Sequence, residues 1–136
     1  MLSPTASTVR LVIHVLAATI WVGGQFTLAG VVPALRRQAP STVKAAAQAY
    51  NRIAWPAFGI LVVTGIWNLM EIDITAAPSD YQVTLMVKIA LAAVAGVAAA
   101  AHATASSKAV LAIGGALGAL ASLGAVFLGV LLRTGS

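Results

Sequence analysis

Long apolar runs separated by short polar segments cover the sequence from one end to the other. Four runs reach the roughly 20 residues that an α-helix needs to cross the hydrocarbon core of a bilayer. They predict helices at about residues 8–35, 52–71, 82–105 and 109–132. The runs lack the period-two alternation of strands, and unpaired backbone groups are prohibitive in lipid. The pattern therefore predicts an all-α integral membrane four-helix bundle, with residues 1–136 as a single transmembrane domain.

Two helix boundaries need comment. The alanine-rich residues 42–51 precede the second apolar run, and they form either a short interfacial stretch or an extension of the second helix. Pro56 is expected in or near the first turn of that helix, where proline costs least. The apolar run from Leu11 to Leu35 is longer than the roughly 7–15 residues of a signal-peptide core, so we expect a retained helix.

The composition points to lipid as the main surroundings of the chain. Sixty per cent of the 136 residues are hydrophobic and 8% are charged. Soluble domains carry about a quarter charged residues, so this chain has too few to cover a water-facing surface. The predicted partner is a lipid bilayer, and the predicted location is the cell membrane, meaning the plasma or inner membrane.

The distribution of charge predicts an orientation. Arg36, Arg37, Lys44 and Arg52 lie between the first two helices, and Lys108 lies between the last two. The other side has Arg10, Arg133 and all three carboxylates, Glu71, Asp73 and Asp80. The positive-inside rule then predicts both termini on the outer or periplasmic side. The same rule explains the net charge of +5 without a nucleic-acid partner.

Several kinds of chemistry find no support in the sequence. The absence of cysteine removes disulfides, thiolate ligands and cysteine nucleophiles. The carboxylates all belong to one external loop, and there is no P-loop, nucleophile elbow or zinc-protease motif. An enzymatic role is therefore not indicated, and a haem-linked membrane oxidoreductase is the enzymatic alternative that stays open.

Three ionisable side chains fall inside the predicted helices: His14, Lys88 and His102. Such groups are costly in hydrocarbon and usually face a bundle interior or a cavity. Helical spacing extends the face of His14 through Ala18, Trp21 and Gln25. We interpret His14 as a metal, haem or proton site, and a histidine hydrogen-bonded to a neighbour is the structural alternative.

Lys88 and His102 are fourteen residues apart and share one face of the third helix. The small residues between them leave room either for a flat ligand or for another helix. A rise of about 1.5 Å per residue separates the two side chains by about 20 Å along the axis. His14 and Lys88 are both expected near the outer face and could share a site. His102 is expected near the inner end, with Arg52 and Trp55, so two histidines on one haem would require two protomers.

The fourth helix is rich in glycine. Gly114 and Gly118 form a small-xxx-small pair, which lets helix backbones approach closely. Close packing within the bundle is the first interpretation of this face. A homodimer through this helix, or assembly into a larger membrane complex, is the alternative.

Three segments resemble the membrane domain of the copper resistance D family. They read HVLAATIWVGG from His14, RIAWPAFGILVVTGIWNLM from Arg52 and YQVTLMVKIALAAV from Tyr81. The matching positions are His14, Trp21, Gly23, Gly24, Arg52, Thr64, Gly65, Tyr81 and Lys88. The resemblance implies copper binding or passage at the outer face of the membrane, with His14 as a ligand and Met86 or the N-terminus as a second candidate ligand.

A more distant resemblance is to the bacterial membrane protoporphyrinogen oxidase family, through Pro56, Lys88 and His102. It implies a b-type haem for electron transfer or porphyrin oxidation. His14 or His102 would be axial ligands, Lys88, Arg52 or Arg36 would pair with propionates, and Trp21 would line the cofactor. Copper, haem b and an accessory subunit of a larger complex are thus the three functional hypotheses.

Overall fold

The protein is entirely helical over the residues that the computed structural model describes, 1–135, and no strand occurs among them. The helices are α1 (Ala6–Ala18), α2 (Gly24–Gln38), α3 (Val43–Met70), α4 (Ser79–Thr104) and α5 (Lys108–Thr134). A π-helical turn, Thr19–Gly23, joins α1 to α2, and a 3-10 turn, Pro40–Thr42, precedes α3. The all-α prediction is confirmed.

Four helical segments are long and apolar enough to cross a membrane: Ala6–Gln38, Pro40–Met70, Ser79–Thr104 and Lys108–Thr134. Even the shortest, at 26 residues, would be about 39 Å long at 1.5 Å per residue. That exceeds the roughly 30 Å hydrocarbon core. The protein is therefore a multi-pass membrane protein, as predicted, and the orientation of its termini stays a prediction.

The second span differs from the prediction at its start. The helix begins at Val43 rather than near residue 52, so the alanine-rich segment extends it. Alanine, lysine and glutamine are strong helix formers, and no glycine or proline interrupts them before Pro56. As a consequence Pro56 lies well inside α3, and its predicted place in the first turn is wrong.

The chain divides into two compact units, Met1–Ile72 and a second unit that begins at Asp73. In the first unit, the α1–α2 span packs against α3. Its buried residues are Ala17, Trp21, Ala54, Ala57 and Thr64. The single-domain organisation of residues 1–136 stays a prediction.

The π-helical turn gives the first unit a local feature that α-helical periodicity does not predict. The carbonyl of Trp21 accepts hydrogen bonds from the Tyr50 hydroxyl, at 2.7 Å, and from the Gln25 side-chain amide, at 3.1 Å. Gly24 lies against the Tyr50 ring, where an added Cβ would clash with it. Tyr50 of α3 is thus seated against the first span where the helix changes its winding.

In the second unit, α4 and α5 form an antiparallel hairpin joined by a short turn. The Ser107 side chain caps α5 by accepting a hydrogen bond from the Val110 amide, at 3.2 Å. The buried interface is made of small residues together with Leu85: Ala95, Ala98, Gly114, Gly118, Ala121 and Ser122. The small-residue face of α4 is therefore occupied by α5, and the close-packing interpretation is confirmed for Gly114 and Gly118.

Two glycines of α5 differ in the space available to a side chain. A Cβ on Gly114 would lie 3.1 Å from the Ala98 carbonyl oxygen, whereas on Gly118 the nearest atom would be 3.6 Å away. We expect Gly114→Ala to destabilise the protein by about 1–2 kcal/mol through overpacking. Gly118→Ala should be neutral or stabilising by up to about 1 kcal/mol, since alanine favours helix. Thermal unfolding in detergent measures both, and equal midpoints for the two variants would contradict this packing.

Candidate functional site

A short, partly buried hydrogen bond between two spans joins His14 of α1 to Thr64 of α3. His14 Nδ1 lies 2.7 Å from Thr64 Oγ1, and Thr64 is 5% exposed. An added Cβ on the next residue, Gly65, would lie 3.8 Å from His14 Cε1. The imidazole therefore rests against the threonine–glycine pair, and we call His14, Thr64 and Gly65 the histidine site.

The hydrogen bonds of Thr64 assign the histidine tautomer. The single hydroxyl proton of Thr64 is directed at the Ile60 carbonyl, at 2.6 Å. Thr64 Oγ1 must then accept from His14, so Nδ1 carries the imidazole proton. In the neutral ring Nε2 is the nitrogen with the basic lone pair. A hydrogen bond to the non-ligating N–H orients metal-binding histidines in this way, and it is also the bond to a neighbour that the structural alternative for His14 predicts.

One helical turn from the histidine site, α1 and α3 make a second polar contact. Arg10 Nε donates to Asn68 Oδ1 at 2.7 Å, and the guanidinium stands 5.5 Å from the centre of the Trp67 ring. Arg10 Nη1 also lies 3.9 Å from Glu71 Oε1. The Arg10 side chain is only 10% exposed, so its charge is held between the two helices.

Trp21, a predicted cofactor-binding residue, is buried and packs against aromatic residues of α3. Its ring centroid lies 4.5 Å from that of Phe58 and 5.5 Å from that of Trp55. These contacts hold the π-helical turn against α3. The cofactor role of Trp21 stays a prediction.

Lys88, His102 and Met86 all lie in the second unit. Lys88 is half-buried, and an added Cβ on Gly129 would lie 3.2 Å from its Nζ. His102 donates from Nδ1 to the Leu111 carbonyl, at 2.6 Å, since a carbonyl can only accept. Met86 is exposed, with 51% of its surface accessible. Lys88 and His102 stand at opposite ends of the α4–α5 contact, as their spacing predicts.

Gly114 and Gly115 of α5 leave space for the His102 side chain. A Cβ on Gly115 would lie 3.1 Å from His102 Nδ1, and a Cβ on Gly114 would lie 3.2 Å from His102 Cβ. The ring therefore folds onto α5 and bonds its backbone. The His102 ring is thus hydrogen-bonded to the neighbouring helix, as expected of a histidine with a structural role. The role of His102 as a haem ligand stays a prediction.

The loop after α3 holds an acidic turn outside the spans. Asp73 Oδ1 accepts from the Thr75 hydroxyl at 2.7 Å and from the Thr75 and Ala76 amides at 3.1 and 3.3 Å. The hydrogen bond from the Thr75 side chain, with help from the backbone, lowers the pKa of Asp73. The Asp73 carboxylate therefore stabilises the turn formed by residues 73–76.

The structure brings His14 together with Thr64 and Gly65, and it adds Arg10 and Asn68 one turn away. Of these, Arg10 and Asn68 were not predicted as site residues. Their spacing carries a signal, because Arg10–His14 and Thr64–Asn68 are each four residues apart and so lie on one face of their helices. Among the described residues, no three His, Cys, Asp or Glu side chains cluster as metal ligands. Arg52 is exposed on α3.

Comparison with known proteins does not identify a relative. No protein-family model, no curated protein and no solved structure matches this chain.

Proposed function

We propose that this chain is a plasma- or inner-membrane protein of copper resistance D type, which binds copper through His14 Nε2 and passes it at the membrane. The observation that carries the proposal is the 2.7 Å contact between His14 and Thr64, whose only hydroxyl proton is engaged elsewhere. That contact orients the imidazole with Nε2 directed away from Thr64. Imidazole is a ligand that suits copper.

The resemblance supports the same assignment. His14, Thr64 and Gly65 are three of the positions on which it rests, and they meet in space although His14 is 50 residues from Thr64. Cu(I) also accepts thioether sulfur, and the role of Met86 as a candidate ligand stays a prediction. One strong protein ligand fits copper as a cargo, because a cargo ion has to be released again.

A b-type haem is the second candidate, and one observation favours it. Arg10 lies one turn from His14 on α1 and is held between the helices by Asn68. A haem needs one axial histidine, since its four ring nitrogens complete the iron coordination, and an arginine at that distance suits a propionate. Bound haem would supply one-electron transfer. The chain would hold the iron through His14 and neutralise a propionate with Arg10.

Spectra of the purified full chain separate the two candidates. A Soret band with sharp α and β bands after dithionite reduction would establish haem and overturn the copper assignment. Competition with a chromophoric Cu(I) chelator tests copper directly. A featureless visible spectrum together with one His14-dependent copper site is the result that the proposal expects. The accessory-subunit hypothesis expects neither a pigment nor a copper site.

Thr64→Val tests the orienting hydrogen bond. Valine keeps the shape of threonine but offers no acceptor to His14 Nδ1, so we expect metal affinity to fall about 10–100-fold, as for lost outer-shell partners of other metal sites. Thr64→Ser, which restores the hydroxyl, should recover most of the affinity. Equal affinities of the valine variant and the wild type in the chelator competition would contradict the tautomer assignment.

A further inference from the structure

Four basic side chains lie on α2 and α3 on either side of the connection between these two helices. Arg36 and Arg37 lie in the last turn of α2, Lys44 lies in the first turn of α3, and Arg52 lies two turns further along α3. All four are exposed. We call these residues the basic hairpin end.

The charge of the basic hairpin end is not neutralised within its own unit. The one carboxylate among residues 1–72 is Glu71, which is 19 residues from Arg52 and thus about 28 Å away along α3. Glu71 is engaged with Arg10. In the described part of this unit, no hydrogen bond or ion pair involves the four side chains. A cluster of four unneutralised cations attracts anions from its surroundings.

The depth of these residues in the bilayer indicates which anion surrounds them. Trp67, an exposed side chain of the type that anchors at membrane interfaces, lies 15 residues from Arg52 on α3, or about 22 Å. A hydrocarbon core of roughly 30 Å that starts at Trp67 places Arg52 about 8 Å inside its far edge, where a long side chain can still reach the interface. Lys44 lies about 35 Å from Trp67 along the axis and thus about 5 Å beyond that edge, at the depth of the headgroups. The cations therefore occupy the layer in which lipid phosphates lie.

We propose that the basic hairpin end binds the phosphate headgroups of anionic phospholipids. Guanidinium groups hold phosphate oxygens with paired, charge-assisted hydrogen bonds, and three of the four side chains are arginines. Long basic side chains at a helix end also reach the interface while their stems stay in apolar surroundings. The site does not depend on copper binding at His14.

The test measures the preference of the full chain for anionic lipid. The protein is placed in bilayers of phosphatidylcholine that contain spin-labelled phosphatidylglycerol or spin-labelled phosphatidylcholine, and the motionally restricted fraction of each label is compared. Within a polybasic cluster at a membrane surface, each basic residue contributes about fivefold. We expect the wild type to prefer the anionic label, and Arg36→Gln/Arg37→Gln to reduce that preference at least about fivefold.

Lys108→Gln/Arg133→Gln is the matched control, because it also removes two exposed positive charges but from α5. The proposal expects this control to keep most of the preference. It is overturned if both double variants lose the preference equally, or if Arg36→Gln/Arg37→Gln/Lys44→Gln/Arg52→Gln retains it. Retention by the fourfold variant would mean that other residues of the chain cause the lipid preference. Full displacement of the labelled lipid by inorganic phosphate, beyond the effect of equal ionic strength, would identify a free-anion site and also overturn it.

Discussion

Purified His14→Ala is expected to bind neither copper nor haem while remaining a folded membrane protein. The substitution removes the one imidazole of the first unit, together with the basic nitrogen that Thr64 orients. Loss of the ligand itself should remove binding altogether, whereas Thr64→Val removes only its support and should weaken binding. Complete loss of binding in His14→Ala together with weakened binding in Thr64→Val would identify His14 as the ligand.

His102→Ala is the matched control, since it removes the other histidine, whose Nδ1 bonds the backbone of α5. It should keep full metal or pigment content. His14→Ala also leaves a space beside Gly65, so His14→Gln serves as a second variant that preserves much of the volume and polarity. Cofactor content and monodispersity in detergent are measured together. Full cofactor in a folded His14→Ala protein would disprove every assignment that rests on His14.

The membrane-spanning helices could be predicted because each depends on the residues of its own segment. Apolar runs of sufficient length with few charges have one stable arrangement in lipid, and neighbouring residues decide where each run begins and ends. The start of α3 shows the limit of this reasoning. Alanine-rich residues fit a helix or an interfacial stretch equally well in the sequence, and the structure shows that the helix continues through them.

The histidine site was only half predictable. Sequence reasoning identifies His14 because an imidazole within an apolar run is unusual. Its partner depends on how α1 and α3 align, and this register is not encoded in either helix alone. Four-residue spacing groups Arg10 with His14 and Thr64 with Asn68, but only the structure pairs the two groups.

The π-helical turn changes the winding of the first span beyond Ala18. A π-turn holds an additional residue, which rotates everything that follows by about 100° relative to a continuous α-helix. The predicted face of His14, Ala18, Trp21 and Gln25 passes through Thr19–Gly23, and His14 and Trp21 both still contact α3. The Gln25 side chain bonds the Trp21 carbonyl. Nothing in the residue types of this segment distinguishes a π-turn from ordinary helix.

Gly24→Leu is expected to destabilise the first unit strongly, by about 3 kcal/mol or more. Even a Cβ at this position would clash with the Tyr50 ring, and leucine adds three further carbons. Tyr50 would have to leave its place, so its hydrogen bond to the Trp21 carbonyl would break as well. Overpacking alone costs about 1–3 kcal/mol, and a lost hydrogen bond adds about 1 kcal/mol.

The adjacent glycine provides the control, because Gly23 has no heavy atom within 4 Å of the position of an added Cβ. Gly23→Leu should therefore unfold near the wild-type temperature, although it alters the same π-helical turn. Tyr50→Phe isolates the hydrogen bond and should cost about 1 kcal/mol. Tryptophan fluorescence during thermal unfolding follows all three, since Trp21 lies beside the contact. If Gly24→Leu and Gly23→Leu were equally stable, Tyr50 would not be seated on Gly24, and the alignment of α3 with the first span that places Thr64 beside His14 would lose its main steric determinant.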